Sequence, residues 1–344
     1  MEIDCTYQVP LTDGWTPETL RALLSGAKRT VVVAHTNADG DAVGSLTGIY
    51  AVLRDMTAAE VSPLLPDGCP DDYTWLPNAD RIVDCSRQPE LAASLVETAD
   101  LIVATDLSGL DRTGRMAEAF LASKARKVLI DHHVGPRREQ FDVVISDDGI
   151  SSACELAYWT LCQTFGPEAI GSEAAESLYT GICTDTGNFS YSNTRQSVYL
   201  AVAELLTHGI DPMAINRNIK NVFTVARLQF FGHAMSRLMT VYPERQLALM
   251  VIRRADMEEF GVGSPELTGL VNEVMRLRDV DCAILIREEK DSVRLSLRSK
   301  VHIDVNLLAR ELFDGGGHER AAGATSHLSL DETVLRVKQK FGIE

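Results

Sequence analysis

No apolar run in this chain approaches the roughly 18 residues that a membrane-spanning helix needs, so no segment is expected to cross a bilayer. Residues 1–14 carry acids and no apolar stretch, a pattern unlike a secretory signal peptide. Paired cysteines are also missing. Cys5, Cys69, Cys85, Cys154, Cys162, Cys183 and Cys282 are scattered, odd in number and never spaced C-x-x-C, which argues against a disulfide framework and for reduced, cytoplasmic thiols. Basic residues are scarce: 33 Lys and Arg stand against 49 Asp and Glu, a net charge of −16. A long track for duplex DNA or RNA is therefore not expected, because such binders neutralise many phosphates with Lys and Arg. Anionic substrates stay open if metals and a few local Arg or His side chains supply the positive field. Internal repeats and low-complexity segments are absent.

What is present is a globular composition, 45% hydrophobic and 24% charged over 344 residues, long enough for two domains. Thr16 as N-cap and Pro17 at the first helical position predict a helix over 16–24. Apolar runs predict strands at 30–34, 61–65, 101–105 and 127–130. Helical spacing predicts helices at 42–53, 91–97, 116–124, 152–165, 173–183 and 197–206, with interrupted helix over 213–239. Strands alternating with helices imply βαβ units and a mainly parallel sheet. Past residues 242–243 the character changes. Strands at 246–252, 282–287 and 293–298, with helices at 265–277, 305–313 and 333–341, predict a separate α+β domain whose strands pair locally.

Four segments place an acid or a histidine where a parallel strand or a helix should end. They are His35-Thr36-Asn37-Ala38-Asp39-Gly40-Asp41, Asp106, Asp131-His132-His133 and Asp185. In open α/β sheets ligands bind beyond the carboxyl ends of the strands, so these residues should meet at one rim. Each alone has a plain reading: an Asx-turn or helix N-cap for Asp39, a strand-end turn for Asp106, a helix C-terminal turn for Asp185. Asp185 opposes its helix dipole, however, which calls for a compensating cation. Adjacent histidines at a strand end seldom serve packing, and Asp131 can orient one ring. Asp39, Asp41, Asp106 and Asp185 together would raise one another's pKa values unless cations intervene. Two divalent ions would offset all four charges. Mixed carboxylate and imidazole ligation suits Mn²⁺, with Co²⁺, Zn²⁺ and Mg²⁺ behind it. A metal pair can activate a shared water and stabilise an in-line displacement at phosphorus, with Asp106 as the natural bridge.

HTNADGD, the strand-end Asp106, DHH and TDTGNF resemble, in order, the four motifs of the DHH phosphoesterases. Gly315-Gly316-Gly317-His318 resembles the glycine-rich motif of the accompanying DHHA1 domain. Within that branch the chain is similar to the nano-RNase/pAp-phosphatase group. The resemblance implies an α/β DHH domain over 1–220, a linker over 221–242 and a smaller α+β DHHA1 domain over 243–344, with the active-site cleft between the domains. It implies one metal site of His35, Asp39 and Asp106 and another of Asp41, Asp106, His132 and Asp185. His133 would then contact the scissile phosphate or assist the leaving oxygen.

At the substrate end the resemblance gives Arg298 and Ser299 a phosphate contact. It gives the loop Gly315, Gly316, Gly317 and His318 the substrate's terminal phosphate or nucleotide, and three glycines ending in His318 are themselves suited to an anion nest. Lys300 is a weaker candidate. Arg112 and Arg115 read as solvated surface, Phe189 and Tyr191 as packing residues, and His208, His233, His302 and His327 as structural. The expected activity is hydrolysis of very short single-stranded RNA to nucleoside monophosphates, of 3′-phosphoadenosine 5′-phosphate to AMP, or of both. Cleavage of cyclic or linear dinucleotides is the alternative from the same metal core. A membrane-anchored form, an inorganic pyrophosphatase and a processive exonuclease are not expected. A nucleotide sensor on a dead frame should have lost a metal ligand, and all seven motif positions are filled. The sequence is silent on oligomeric state, and a homodimer is left open.

Overall fold

The structure, a computed structural model, describes residues 7–11, 14–191, 193–220 and 223–343. The chain divides into two compact units, Met1–Val222 and Phe223–Glu344. Cys5 lies outside the described residues. The other six cysteines are unpaired, and all but Cys69 are buried.

The first unit is built on six strands: β1 (Arg29–Val33), β2 (Glu60–Leu65), β3 (Val83–Asp84), β4 (Leu101–Thr105), β5 (Arg126–Asp131) and β6 (Val143–Ser146). Their order is β3-β2-β1-β4-β5-β6, and every pairing is parallel. Chain order reverses between β1 and β4, the crevice where such sheets bind ligands. The register pairs Val33 with Ala104 and Thr105 with Ile130. His35, Asp106 and Asp131 therefore end their strands at one level. β4 is buried at every position, as expected for a central parallel strand covered on both faces.

Among the described residues eight α-helices accompany this sheet: α1 (Pro17–Gly26), α2 (Gly40–Met56), α3 (Pro89–Thr98), α4 (Ala117–Ala122), α5 (Ala153–Phe165), α6 (Ser172–Asp185), α7 (Gln196–Leu205) and α8 (Pro212–Lys220). Thr16 closes a capping box on α1, with Pro17 at its first turn. α2 is buried from Gly40 to Leu53, so it serves as a core helix with no solvent face. It approaches α6 at backbone distance. A Cβ on Gly44 would lie 2.5 Å from the Ser177 carbonyl oxygen, and one on Gly181 would lie 3.0 Å from the Cα of Asp41. Only glycine permits that approach. Among the described residues no single helix is long and apolar enough to cross a membrane; the bent pair Gln196–His208 and Pro212–Lys220 passes that test only jointly.

The second unit holds β7 (Met239–Tyr242), β8 (Leu247–Ile252), β9 (Cys282–Glu288), β10 (Val293–Ser299), β11 (Asp314–Gly317) and β12 (Ala321–Ser326) in the order β11-β12-β10-β9-β8-β7. Its helices are α9 (Val225–His233), α10 (Arg254–Phe260), α11 (Leu270–Val274), α12 (Val305–Leu312) and α13 (Leu330–Lys340). Residues 225–242, read from sequence as a linker, hold α9, a π-helical turn and β7; residues 221 and 222 lie outside the described residues. β9 and β10 pair as a hairpin, but β8 and β9 run parallel through a crossover containing α10 and α11, against the expectation of purely local pairing. Residues 265–277 give a 3₁₀ turn and the short α11, because Thr268 is extended and Gly269 is left-handed. The glycines read as a loop form edge strand β11, antiparallel to β12.

Candidate metal centre

β1 delivers His35, which is buried, and the chain then turns through Asn37 at φ 54° into α2. Asp39 is the N-cap of α2: one carboxylate oxygen accepts from the amides of Asp41 and Ala42 at 3.0 and 3.1 Å. Asp41 opens the first turn of α2 and is 1% exposed. Its two oxygens accept from the amides of Ala153 and Cys154 at 2.7 and 2.9 Å. These are open donors at the N-terminus of α5, an end that favours negative charge. Asp106 follows β4 at φ 55°, in the left-handed region that Asp and Asn tolerate better than most side chains. Asp185 is the last residue of α6, where Asn193 Nδ2 donates to its carbonyl oxygen at 3.1 Å.

These residues converge. His35 Nε2 lies 3.3 Å from Asp106 Oδ2, and His132 Nε2 lies 3.4 Å from Asp106 Oδ1. His132 Nε2 is also 3.7 Å from Asp41 Oδ2 and 3.7 Å from Asp185 Oδ2. Three groups of ligand atoms fall within 4.8 Å of one another: His35, Asp39 and Asp106; Asp41, His132 and Asp185; and Asp106, His132 and His133. Asp106 and His132 each belong to two of them. None contains His208, His233, His302 or His327. His35 Nδ1 lies 2.7 Å from the Thr36 carbonyl oxygen, a bond that puts a proton on Nδ1 and leaves Nε2, the atom facing Asp106, as the one that could ligate a cation.

The electrostatics show what this arrangement lacks. Burial, with the charges of Asp106 and Asp185, pushes Asp41 well above the usual carboxylate range. Burial, then Asp106 and Asp39, pushes Asp185 up to about 7 against the lowering effect of His132. Burial works to lower His132, but its bond to Asp106 and the charges of Asp41, Asp106 and Asp185 outweigh it and push the ring up to about 10. His35 is likewise raised by Asp106 against its burial. Asp106 is held well below the carboxylate range by His132 and His35, whose hydrogen bonds overcome its burial. Among the described residues no Lys or Arg pairs with Asp39, Asp41, Asp106 or Asp185. The raised carboxyls and imidazoles share one cause, negative charge crowded in a buried place. That donor set fits divalent cations.

A model of the DHH family N-terminal domain matches residues 29–182, and a DHHA1 domain model matches 246–341. A solved exopolyphosphatase-related protein from Bacteroides fragilis is 32% identical, with a TM-score of 0.91 over 94% of both chains. The chain belongs to the DHH family of phosphoesterases. Among curated relatives, the bifunctional oligoribonuclease and PAP phosphatase NrnA of Bacillus subtilis is 28% identical over 87% of this chain and 89% of its own length. The protein of the same name from Thermus thermophilus is 28% identical over 89% of this chain and 87% of its own.

Other residues singled out in the sequence are placed as follows. Arg298 is partly buried and its Nε donates to Asn272 Oδ1 at 3.1 Å. The Ser299 hydroxyl is spent on the Ile303 carbonyl oxygen at 2.6 Å. The Gly317 amide donates to Asn306 Oδ1 at 3.1 Å, and exposed His318 follows β11. Lys300 Nζ donates to the Leu277 carbonyl oxygen at 2.6 Å. Phe189 stacks on Tyr199 at 6.0 Å, whereas Tyr191 is 52% exposed, with its ring against Gly187. The reading of Arg112 as solvated surface is corrected: it is half-buried, and its Nη1 lies 3.0 Å from His133 Nε2. Arg115 is exposed. The amide donors on Asp41 also escaped the sequence reading, although Ser152 as the N-cap of α5 marks where open amides must lie.

Proposed function

We propose that this protein is a two-metal phosphoesterase that hydrolyses short oligoribonucleotides to nucleoside monophosphates and 3′-phosphoadenosine 5′-phosphate to AMP. The observation that carries the reading is the convergence of four carboxylates and three imidazoles at the switch point of a parallel sheet, with no Lys or Arg among the described residues paired to those carboxylates. His35, Asp39 and Asp106 would hold one cation, and Asp41, Asp106, His132 and Asp185 the other. The carboxylate and imidazole mixture suits Mn²⁺. When bound, the cations supply an activated water and neutralise charge during displacement at phosphorus. The amides of Ala153 and Cys154 fix Asp41, and the Thr36 carbonyl oxygen fixes the His35 ring. Asp131 is buried and accepts from His133 Nδ1 at 2.8 Å, which fixes the ring whose Nε2, bonded to Arg112 in this structure, would turn to the reacting phosphoryl group or leaving oxygen once substrate takes up the guanidinium. In the second unit, Arg298, Ser299, Gly315, Gly316, Gly317 and His318 are assigned to capture of the substrate's end, as small nucleotides and very short single strands require. The two NrnA relatives support this substrate class.

The test compares pApA, pAp, cyclic di-AMP and pyrophosphate side by side with Mn²⁺, using Asp106→Ala as the blank. Hydrolysis of pApA and pAp well above the other two is expected. Turnover confined to cyclic di-AMP would replace this reading with the dinucleotide alternative. No turnover of any of the four would overturn both.

A further inference from the structure

We propose that Arg112 is a phosphate-binding residue of this centre, with its guanidinium placed to take the non-bridging oxygens of the phosphoryl group under attack. The proposal rests on the two-metal phosphoesterase reading and adds to it a residue outside the four acidic and histidine segments.

The turn that carries Arg112 is fastened in place. The 3₁₀ stretch Leu110–Met116 begins with the Leu110 amide donating to Gln140 Oε1 at 2.8 Å, and the buried Thr113 hydroxyl donates back to the Leu110 carbonyl oxygen at 2.6 Å. The Thr36 amide donates to the carbonyl oxygen of Arg112 itself at 2.9 Å, which ties this turn to the loop between His35 and Asp39. Gly114 is at φ 59°, and a Cβ there would lie 2.7 Å from Thr36 Cγ2, so the contact is close. The Arg112 backbone is thus locked to the segment that supplies three of the acidic and imidazole ligands.

Its side chain is half-buried, with Nη1 3.0 Å from His133 Nε2. Guanidinium nitrogens only donate, so His133 Nε2 accepts and the ring proton is on Nδ1, facing Asp131 at 2.8 Å. The same Nδ1 is 3.7 Å from Asp106 Oδ1. One imidazole therefore separates the guanidinium from the carboxylate shared by two of the ligand groups.

The decisive feature is what Arg112 does not pair with. Among the described residues it has no carboxylate partner, although four carboxylates line the neighbouring pocket. Arg137, beside the same turn, pairs with Asp111 at 3.3 Å in the usual way. A partly desolvated guanidinium with its remaining N–H donors unspent, next to a centre built for cations, is suited to an anion that arrives from outside. A planar donor fork matches phosphoryl oxygens in pairs. With cations on the carboxylates and Arg112 on the far side of His133, the phosphoryl group would be held from two directions.

The experiment measures binding of inorganic phosphate to the Mn²⁺-loaded protein by calorimetry, after Mn²⁺ binding has been measured on the same samples. Arg112→Ala should leave Mn²⁺ affinity within about twofold and weaken phosphate binding about 10- to 100-fold, the range for losing hydrogen bonds to a charged group. Arg112→Lys should recover part of that loss, and Arg115→Ala, on the exposed side of the turn, should recover nothing because it loses nothing. With pApA as substrate, KM should rise with the phosphate dissociation constant. Phosphate affinity unchanged in Arg112→Ala, with kcat alone reduced, would overturn the assignment and leave Arg112 as a support for His133. If Arg112→Ala loses its folded circular-dichroism signature, Arg112→Gln carries the test, since it keeps most of the aliphatic stem and removes the charged donor fork. Wild-type protein that binds no Mn²⁺ would overturn the two-metal reading and this assignment together. Mn²⁺ bound at both sites with phosphate indifferent to position 112 would overturn this assignment alone.

Discussion

Asp106→Asn is the substitution that asks most directly whether this pocket holds a pair of cations. Asparagine is the right replacement for a backbone reason. Asp106 sits at φ 55°, where alanine would add strain of about 1–2 kcal/mol and asparagine is tolerated. It also keeps a polar atom facing His35 and His132. A ligand that binds only the folded state at 100 times its dissociation constant stabilises by about 2.7 kcal/mol. Two such sites contribute about 5 kcal/mol. For a unit of roughly 200 residues this raises Tm by about 10–20 °C. Losing a partner outside the ligand sphere already weakens metal sites about 10- to 100-fold, and Asp106 is in reach of both sites. At the same free Mn²⁺ the variant should retain about 1 kcal/mol or less, a shift under about 4 °C. Differential scanning calorimetry with and without Mn²⁺ reads this directly. The second unit has its own core and serves as the internal reference. An Asp106→Asn protein that keeps the full wild-type shift would refute the shared-carboxylate argument.

The cation-free first unit should lose stability as pH rises. Asp185 at about 7 and His132 at about 10 both lie above their unfolded values, so the folded state holds extra protons from about pH 4 to 7 for the acid and about 6.5 to 10 for the ring. Mn²⁺ must displace those protons. Its stabilising shift should therefore be larger at pH 8 than at pH 6, and titration in buffers of different ionisation enthalpy should show proton release; equal shifts at both pH values would contradict this. Gly181→Ala would place a Cβ 2.1 Å from Cys154 Sγ and 2.9 Å from Asp41 Oδ1. It should cost about 1–3 kcal/mol by overpacking and weaken Mn²⁺ binding, and Cys154→Ala in the same chain should restore part of each; denaturant titration gives the first quantity and calorimetry the second. Turnover should fall steeply with RNA length. Equal rates on two-nucleotide and fifty-nucleotide substrates would remove the case for end capture by the second unit.

The parallel sheet was legible because its strands are written in β-branched residues, as in Thr-Val-Val-Val before His35 and Leu-Ile-Val-Ala-Thr before Asp106. The same logic hid β12, whose Ala-Ala-Gly-Ala-Thr-Ser has no strand signature and is a strand because β10 pairs with it along its whole length. β11, made largely of glycine, is a strand for the same tertiary reason. β6 and the two-residue β3 are too short to show a period. In the site, the legible residues were those whose position at an element end carries the signal. What stayed hidden depends on contacts between distant segments. An arginine in a polar turn looks the same whether it faces water or, as Arg112 does, a histidine twenty-one positions on. The amides that hold Asp41 come from a helix 112 residues later.

This distribution follows from how the centre is held. Its carboxylates sit at the ends of strands and helices, and their mutual repulsion gives that arrangement no reason to be stable by itself. Several of its residues are held from behind: Asp41 by the α5 amides, His35 by the Thr36 carbonyl oxygen, His133 by Asp131 and the backbone of Asp185 by Asn193. These supports fix orientation without neutralising the four carboxylates, and the glycine contact between α2 and α6 brings Asp41 against Gly181, one turn before Asp185. A structural ion-pair network would have been completed by a Lys or Arg side chain. Among the described residues Arg112, beside the centre, is bonded to an imidazole and to no carboxylate, so the charge is left for cations to balance and the guanidinium for an anion to find.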